Sequence, residues 1–157
     1  MKTARSSART LGLAIAASTA LFSLSASAQD LLASQVPAPV QAAFAKAFPN
    51  AMDVDWDLKG TQYKVEFETG LLFTDHEAWY DASGKLLRHE EEISVSDLPA
   101  AVASAVQAEF PGYRIDDMER ITVDGTVSYV VELKLKGQPE WKVAYSAEGK
   151  QLQKVQD

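Results

Sequence analysis

The side chains able to do chemistry in this 157-residue sequence are carboxylates and two histidines. Cysteine is absent, which excludes a thiol nucleophile and thiolate metal ligands. His76 and His89 are far apart in the repeat described below and lack the HExxH spacing of a helical zinc site. No phosphate-binding loop, GxSxG nucleophile elbow or GxGxxG motif occurs. We therefore expect no catalytic residue, no cofactor and no metal, in a protein that is not an enzyme.

The densest charged cluster is His89 followed by three glutamates, 90–92. Such a cluster could hold a divalent cation or meet a basic patch on a partner. It also fits a solvated strand end that links two repeats, which is the interpretation we favour. Binding of a small ligand or a divalent cation in the periplasm stays open as the alternative function.

Three aspartates alternate along 53–57 and resemble the start of a calcium-binding loop. Such a loop needs glycine at its sixth position, where this chain has Leu58, and Glu at its twelfth, where it has Lys64. The apolar residues between the aspartates have the two-residue period of a strand. The aspartates are therefore predicted to project from one side of a strand.

One large aromatic residue falls on the polar side of a predicted strand. Trp79 aligns with Ala144 in the second half of the chain, and it shares a strand face with Asp75 and Glu77. An exposed indole there would suit a binding surface, because Trp is enriched among residues that dominate binding energy. The predicted partner-binding residues on that side are Trp79, Glu77, Asp75, Glu66, Glu68 and Glu132.

The positions of these residues follow from an internal duplication. Residues 36–49 match 98–111 at an offset of 62, 63–67 match 129–133 at an offset of 66, and 80–85 match 145–150 at an offset of 65. Repetition at a nearly fixed period indicates two copies of one structural unit. The units run from about 31 to 93 and from about 94 to 157.

Each unit is predicted to be one helix followed by strands. Apolar residues recur at i, i+4, i+7, i+8 and i+12 from Val36 and again from Leu98, which lines one helix face. Alternating apolar and polar residues follow, separated by glycine turns. The predicted fold is α+β, with each helix on a three- to four-stranded antiparallel meander, and with the units packed together or joined into one sheet. Predicted core aromatics are Trp56, Tyr63, Phe67, Tyr80 and Trp141.

The N-terminal segment has the features of a secretory signal. Lys2, Arg5 and Arg9 precede an apolar stretch, 11–24, and the small residues 26–28 follow it. The apolar stretch is shorter than a bilayer span requires. Residues 1–28 are therefore predicted to be cleaved, leaving 29–157 as one periplasmic domain built of two repeats and not held at a membrane.

Charge restricts the class of partner. Removing the three basic residues of the signal changes the net charge from −7 to −10. Nucleic acid and anionic lipid are poor partners for so acidic a protein, whereas a basic protein or a cation is a better one. A negative surface also keeps a small exported protein soluble, and this alternative explanation of the charge requires no binding partner.

Several motifs resemble those of PepSY-like domains. They are Leu98-Pro99, Phe110-Pro111, Tyr129-x-Val131-Glu132-Leu133 and the stretch 145–152, with counterparts in the first repeat. Over 36–155 the arrangement is similar to the β-lactamase-inhibitor-like, PepSY-like family of exported bacterial proteins. The resemblance implies a helix and antiparallel sheet in each repeat, like β-lactamase inhibitor protein. It also implies a non-catalytic binding module, an inhibitor or modulator of another periplasmic or secreted protein.

Overall fold

The computed structural model describes residues 28–156. The predicted signal lies outside this range except for Ala28, so its cleavage and the division into domains stay predictions. A single 3-10 turn precedes each helix, at Ala33–Gln35 and at Val95–Asp97. The other elements are β1 (Ala28–Leu31), α1 (Ala38–Ala47), β2 (Met52–Lys59), β3 (Gln62–Thr69), β4 (Thr74–Tyr80), β5 (Leu86–Glu92), α2 (Ala100–Glu109), β6 (Arg114–Val123), β7 (Thr126–Lys134), β8 (Trp141–Ser146) and β9 (Gln151–Gln156).

The two helices are ten residues long and begin directly after a proline. Proline suits this position because the first helical N–H groups have no partner within the helix. Val40 and Phe44 of α1 are buried, as are the corresponding residues of α2. Val36 and Phe48 lie just outside α1 but still pack into its core, so the predicted apolar stripe is longer than the helix. Among the described residues, no helix is long and apolar enough to cross a membrane.

The described strands form one antiparallel sheet in chain order. Strand β5 pairs with β4 on one side and with β6 on the other, where Arg88 lies opposite Val123. The α+β class is confirmed. Of the two arrangements left open for the repeats, the structure has them joined, in a single sheet of nine strands rather than as two meanders packed together. Strand β1 is an addition that the sequence did not predict. The assignment of 89–92 to a solvated strand end and linker is wrong, because residues 89–91 pair with both β4 and β6, and Glu92 pairs with Glu119 of β6. Joining the repeats in this way removes two exposed sheet edges.

Each helix covers its own core on the same side of the sheet. The predicted burial of Trp56, Phe67 and Tyr80 is confirmed, whereas Tyr63 and Trp141 are partly buried at the margins. The first core contains Val36, Val40, Phe44, Trp56, Val65, Phe67, Ala78 and Tyr80. The second contains Leu98, Val102, Val106, Phe110, Met118, Val131, Leu133, Val143 and Tyr145.

The start of β2 departs from the predicted alternation. Its pairing with β3 is interrupted between Met52 and Asp55, and Asp53 has a φ of +48°. Such a bulge turns the following side chains out of register. Met52 and Val54 are consequently 39% and 38% exposed, so they do not continue the buried row that begins at Trp56. A matching interruption occurs in β6 between Ile115 and Asp117.

A glycine in each repeat brings a hairpin turn against the start of a helix. Gly84 has a φ of +86°, and a Cβ added to it would lie 2.5 Å from the carbonyl oxygen of Pro39. Gly149 has a φ of +81°, and its added Cβ would lie 2.5 Å from the carbonyl oxygen of Ala101. Only glycine meets both requirements, the positive φ and the close approach.

Candidate binding surface

The face of the sheet opposite the two helices carries the candidate site, and we call it the open face. Side chains alternate along each strand, so every second residue of β3 to β8 projects here. The register of the strands places residues of adjacent strands side by side on this face. Lys64 lies opposite Trp79, and Trp79 lies opposite Arg88. The residues used below are Lys64, Glu66, Glu68, Asp75, Glu77, Trp79, Arg88, Glu90, Glu92, Asp117, Glu119, Ile121, Val123, Val130, Glu132, Lys142 and Ala144.

The sequence-predicted site residues all lie on the open face, but the structure brings only some of them together. Glu66 lies opposite Glu77, and Glu68 lies opposite Asp75, so these four adjoin the strand position of Trp79. Glu132 is on β7 in the second repeat, with β5 and β6 between it and β4. The predicted residues therefore span two regions of the face.

Trp79 is buried, which corrects the expectation of an exposed indole. It is 8% exposed although it lies on the polar side of the sheet. Lys64 Nζ is 5.4 Å from the ring centroid and Arg88 Cζ is 5.5 Å from it. The aliphatic stems of such side chains cover apolar surface while their charges are attracted to the ring face. Trp79 thus forms part of the base of the open face, and its part in binding stays a prediction.

A small apolar patch lies in the second-repeat half of the open face. Ile121, Val130 and Ala144 are each no more than 1% exposed, and Val123 packs against them. Sequence reasoning missed this patch because it placed Val130 and Ala144 on the polar side of their strands and made no assignment for Ile121 and Val123. The available signal was the presence of apolar residues at positions where the alternation requires polar ones.

Ion pairs connect the charged residues around these buried groups. Lys64 Nζ is 2.6 Å from Glu66 Oε1 and 2.9 Å from Glu77 Oε2, and Arg88 pairs with Glu90. Burial acts to lower the pKa of Lys64, but its two carboxylate partners raise that pKa above the usual value. Lys64 therefore stays charged and fixes the carboxylates on either side of it.

Lys142 occupies a similar position in the second repeat. Its Nζ lies 3.1 Å from Glu132 Oε1 and 3.9 Å from Glu119 Oε1. Burial acts to lower the pKa of Lys142, and its contacts with these two glutamates raise it overall. The longer distance to Glu119 leaves that carboxylate only weakly neutralised.

An acidic groove of about 310 Å³ lies between the two regions of the open face. Burial raises the pKa of Glu90, and burial together with nearby carboxylates raises the pKa of Glu119 to about 7. Burial, Asp117 and Asp75 raise the pKa of Glu92. Six open-face carboxylates line the groove: Asp75, Glu77, Glu90, Glu92, Asp117 and Glu119. His76 and Glu91 also contribute to its lining, although their side chains belong to the helix-covered face.

The lining of the groove is strongly acidic. Seven of its eight lining residues are acidic, and none of them is Lys or Arg. Within residues 28–156, no three His, Asp or Glu side chains are grouped so as to hold a metal ion. Sequence reasoning did not single out Asp117 or Glu119. The signal was their alternation at i and i+2, which mirrors that of Glu90 and Glu92 on the neighbouring strand.

The two histidines lie together on the helix-covered face, which corrects the view that they are far apart. His76 Nδ1 is 3.2 Å from His89 Nε2, and Thr69 Oγ1 is 2.7 Å from His76 Nε2. Phe48 packs over both rings. Burial lowers the pKa of each histidine, and the proximity of His76 lowers that of His89 further. Near pH 7 the pair is therefore neutral, with one ring donating a hydrogen bond to the other.

Solved structures of bacterial proteins share this architecture. A BLIP-like protein from Bacteroides fragilis is 25% identical, with a TM-score of 0.65 over 76% of this chain and 86% of that chain. A DUF2874 family protein from Bacteroides uniformis is 22% identical, with a TM-score of 0.68 over 76% and 88%. A protein from Bacteroides eggerthii described as a putative periplasmic protein is 18% identical, with a TM-score of 0.70 over 77% and 88%. The last two show the fold alone.

Among curated proteins, none matches this chain. The family model "Putative beta-lactamase-inhibitor-like, PepSY-like" matches it twice, at residues 23–88 and at residues 61–153. Two matches agree with the two copies of helix and strands seen in the fold. The chain is therefore a member of the PepSY-like family.

Proposed function

We propose that this chain is an exported, non-catalytic binding module that inhibits or modulates another periplasmic or secreted protein through its open face. The observation that carries the proposal is a buried apolar base beside an acidic groove. The seven carboxylates that line the groove outnumber the four basic side chains paired with them, which are Lys64, Arg88, Arg120 and Lys142. The BLIP-like name of one structural relative supports a binding role, and the periplasmic description of another supports the location.

The chemistry of the groove selects a basic partner. Crowded carboxylates repel one another, and burial makes their ionisation costly. A lysine or arginine from a partner would offset this repulsion, would stabilise the ionised carboxylates and would lower the pKa of Glu119. Binding is therefore expected to tighten from pH 6 to pH 8 and to weaken as salt is added.

The non-catalytic part of the proposal is supported by the buried histidine pair. His76 uses one ring nitrogen on His89 and the other on Thr69, so neither nitrogen is directed at a substrate. The two imidazole rings are nearly parallel, with an angle of 10° between their planes, and they lie under Phe48 on the helix-covered face. These are the features of a packed structural pair.

The test uses protein purified after expression of the full chain. It is immobilised to capture partners from an envelope extract of the source cell, and the captured protein is then purified for affinity measurements. The double variant Asp75→Asn with Glu92→Gln removes two charges from the groove and is expected to weaken binding about tenfold or more. The matched control, Asp124→Asn with Glu148→Gln, removes two charges outside the groove and should bind like wild type.

Two results would contradict the proposed function. One is an extract from which the wild type captures no partner. The other is equal affinity for the groove variant and its control, with no dependence on salt.

A further inference from the structure

The turn between β3 and β4 exposes three consecutive large apolar residues, which we call the apolar tip (71–73). Leu71 is 96% exposed, Leu72 is 91% exposed and Phe73 is 60% exposed. Single exposed apolar residues are common, but contiguous ones mark contact sites. None of the three belongs to a core cluster of the described residues.

The backbone of the apolar tip is held in an unusual conformation. Gly70 has a φ of +73°, and Phe73 has a φ of +53°. The left-handed region is disfavoured for a bulky residue, which would be better replaced there by Gly or Asn. In the isolated chain, Phe at position 73 is unfavourable because its backbone is in the left-handed region and its ring is exposed to water. The stability of the fold therefore does not account for a phenylalanine here.

The corresponding turn of the second repeat shows that the fold does not need such a tip. The turn between β7 and β8 is Leu135, which is half-buried, followed by Lys-Gly-Gln-Pro-Glu at 136–140, which are exposed. That turn connects the matching strands without any exposed large apolar residue and uses a glycine of positive φ, Gly137. The apolar tip is therefore a property of the first repeat alone.

The position of the apolar tip indicates what it contacts. Thr69 pairs with Thr74 at the base of the turn, and the next pair along the strands is Glu68 with Asp75. Asp75 lines the acidic groove. An apolar projection next to carboxylates complements an apolar pocket with a basic rim. An anionic lipid surface would be repelled by the same carboxylates.

We propose that the apolar tip inserts into an apolar pocket of the partner protein, on a surface where lysine or arginine side chains reach the acidic groove. This inference rests on the proposed binding function and adds the chemistry of the partner's site. The tip supplies the apolar contact, and the groove orients the partner by charge. Residues that enter a desolvated pocket dominate binding energy.

The test compares three proteins purified after expression of the full chain. The tip variant is Leu71→Ser, Leu72→Ser and Phe73→Asn, in which Asn suits the left-handed backbone. The matched control places serine at Lys136 and Gln138 in the turn of the second repeat. Thermal unfolding confirms that all three fold. Dissociation constants are measured with the partner purified from the envelope extract, and a photo-crosslinker at position 72 maps the contacted peptide.

The expected result is a loss of affinity of about a hundredfold for the tip variant, in the range of a binding hot spot, and none for the control. The crosslink should map to an apolar segment near Lys or Arg on the partner. If the tip variant binds like wild type while Asp75→Asn with Glu92→Gln binds weakly, the tip inference is wrong and the proposed function stands. If the wild type captures no partner, both fall.

Two other candidates for what the apolar tip contacts, a lipid surface and a second copy of this chain, are tested directly. Wild type and tip variant are sedimented with vesicles of phosphatidylcholine and of phosphatidylglycerol. Tip-dependent binding to either vesicle would overturn the inference in favour of a lipid contact. Tip-dependent self-association in analytical ultracentrifugation would overturn it in favour of a second copy of this chain.

Discussion

The two repeats place matching residues under their helices but differ on the open face and at the sheet end. Trp56 and Met118 both enter a core directly after a bulge, and Tyr80 and Tyr145 do so at the ends of β4 and β8. On the open face, Trp79 of the first repeat corresponds to Ala144 of the second. Packing against a helix restricts side-chain size and polarity, whereas the other face is free to specialise.

The histidine pair illustrates the same difference at one site. The second repeat has Trp141 and Lys154 at the positions of His76 and His89, and Lys154 Nζ lies 3.8 Å from the Trp141 ring centroid. Both pairs lie beside the phenylalanine that follows the helix. The first repeat thus has a titratable pair where the second has a cation–π contact.

The buried tyrosines show a difference in hydrogen bonding. Tyr145 donates a hydrogen bond to Glu109, with a distance of 3.0 Å between the oxygens. The corresponding helix position in the first repeat is Ala47, and the hydroxyl of Tyr80 is buried without a hydrogen-bond partner. Burial raises the pKa of Tyr80 to about 12. The second repeat is therefore better satisfied at this site.

The largest expected effect tests what the repeats share. Gly84→Ala and Gly149→Ala should each lower the free energy of unfolding by about 3 kcal/mol or more, because each combines a positive φ with a backbone clash. Urea unfolding measures both. Equal losses support equivalent hairpin contacts, and tolerance of alanine in one repeat would show that its turn does not press on its helix.

The next effect tests the second-repeat half of the open face. Glu119→Gln should raise the free energy of unfolding by about 2–3 kcal/mol at pH 8 and by nothing measurable at pH 4. The pKa of Glu119 is raised to about 7 in the folded state, so the folded protein binds the extra proton between about pH 4.5 and pH 7. Stability from this group therefore falls as pH rises through that window and is constant above it.

Urea unfolding at several pH values measures this effect. Asp57→Asn, at the corresponding position beside the edge strand β1, is the matched variant and should change stability less. A gain for Glu119→Gln that is independent of pH would contradict the assignment to Glu119.

The smallest effect sharpens the tyrosine comparison. Tyr145→Phe should cost about 1 kcal/mol because it removes a hydrogen bond, whereas Tyr80→Phe should be neutral or slightly stabilising. Ala47→Glu offers Tyr80 the partner that Glu109 gives Tyr145, and it should make Tyr80→Phe costly in turn. Double-mutant cycles measure both couplings, and equal costs in the two wild-type repeats would contradict the assignment.

Much of the fold could be predicted because the strand residues buried under a helix are apolar at every second position, which is a regular pattern in the sequence. Trp56, Phe67 and Tyr80 followed from that period alone. The burial of Trp79 could not be predicted, because it depends on how the long side chains of Lys64 and Arg88 lie across it from neighbouring strands. The groove likewise depends on the pairing of β5 with β6, and this register is not encoded in the spacing within either strand.

The shared strand β5 has a consequence for how this architecture can grow. Strand β9 pairs with β8 as β5 pairs with β4, including the same irregularity next to the buried tyrosine. Its outer edge therefore offers the backbone groups that β5 uses to bind β6. A further repeat fused beyond β9 could pair with it by the same geometry. The architecture can therefore be extended one repeat at a time, with each repeat contacting only its neighbours.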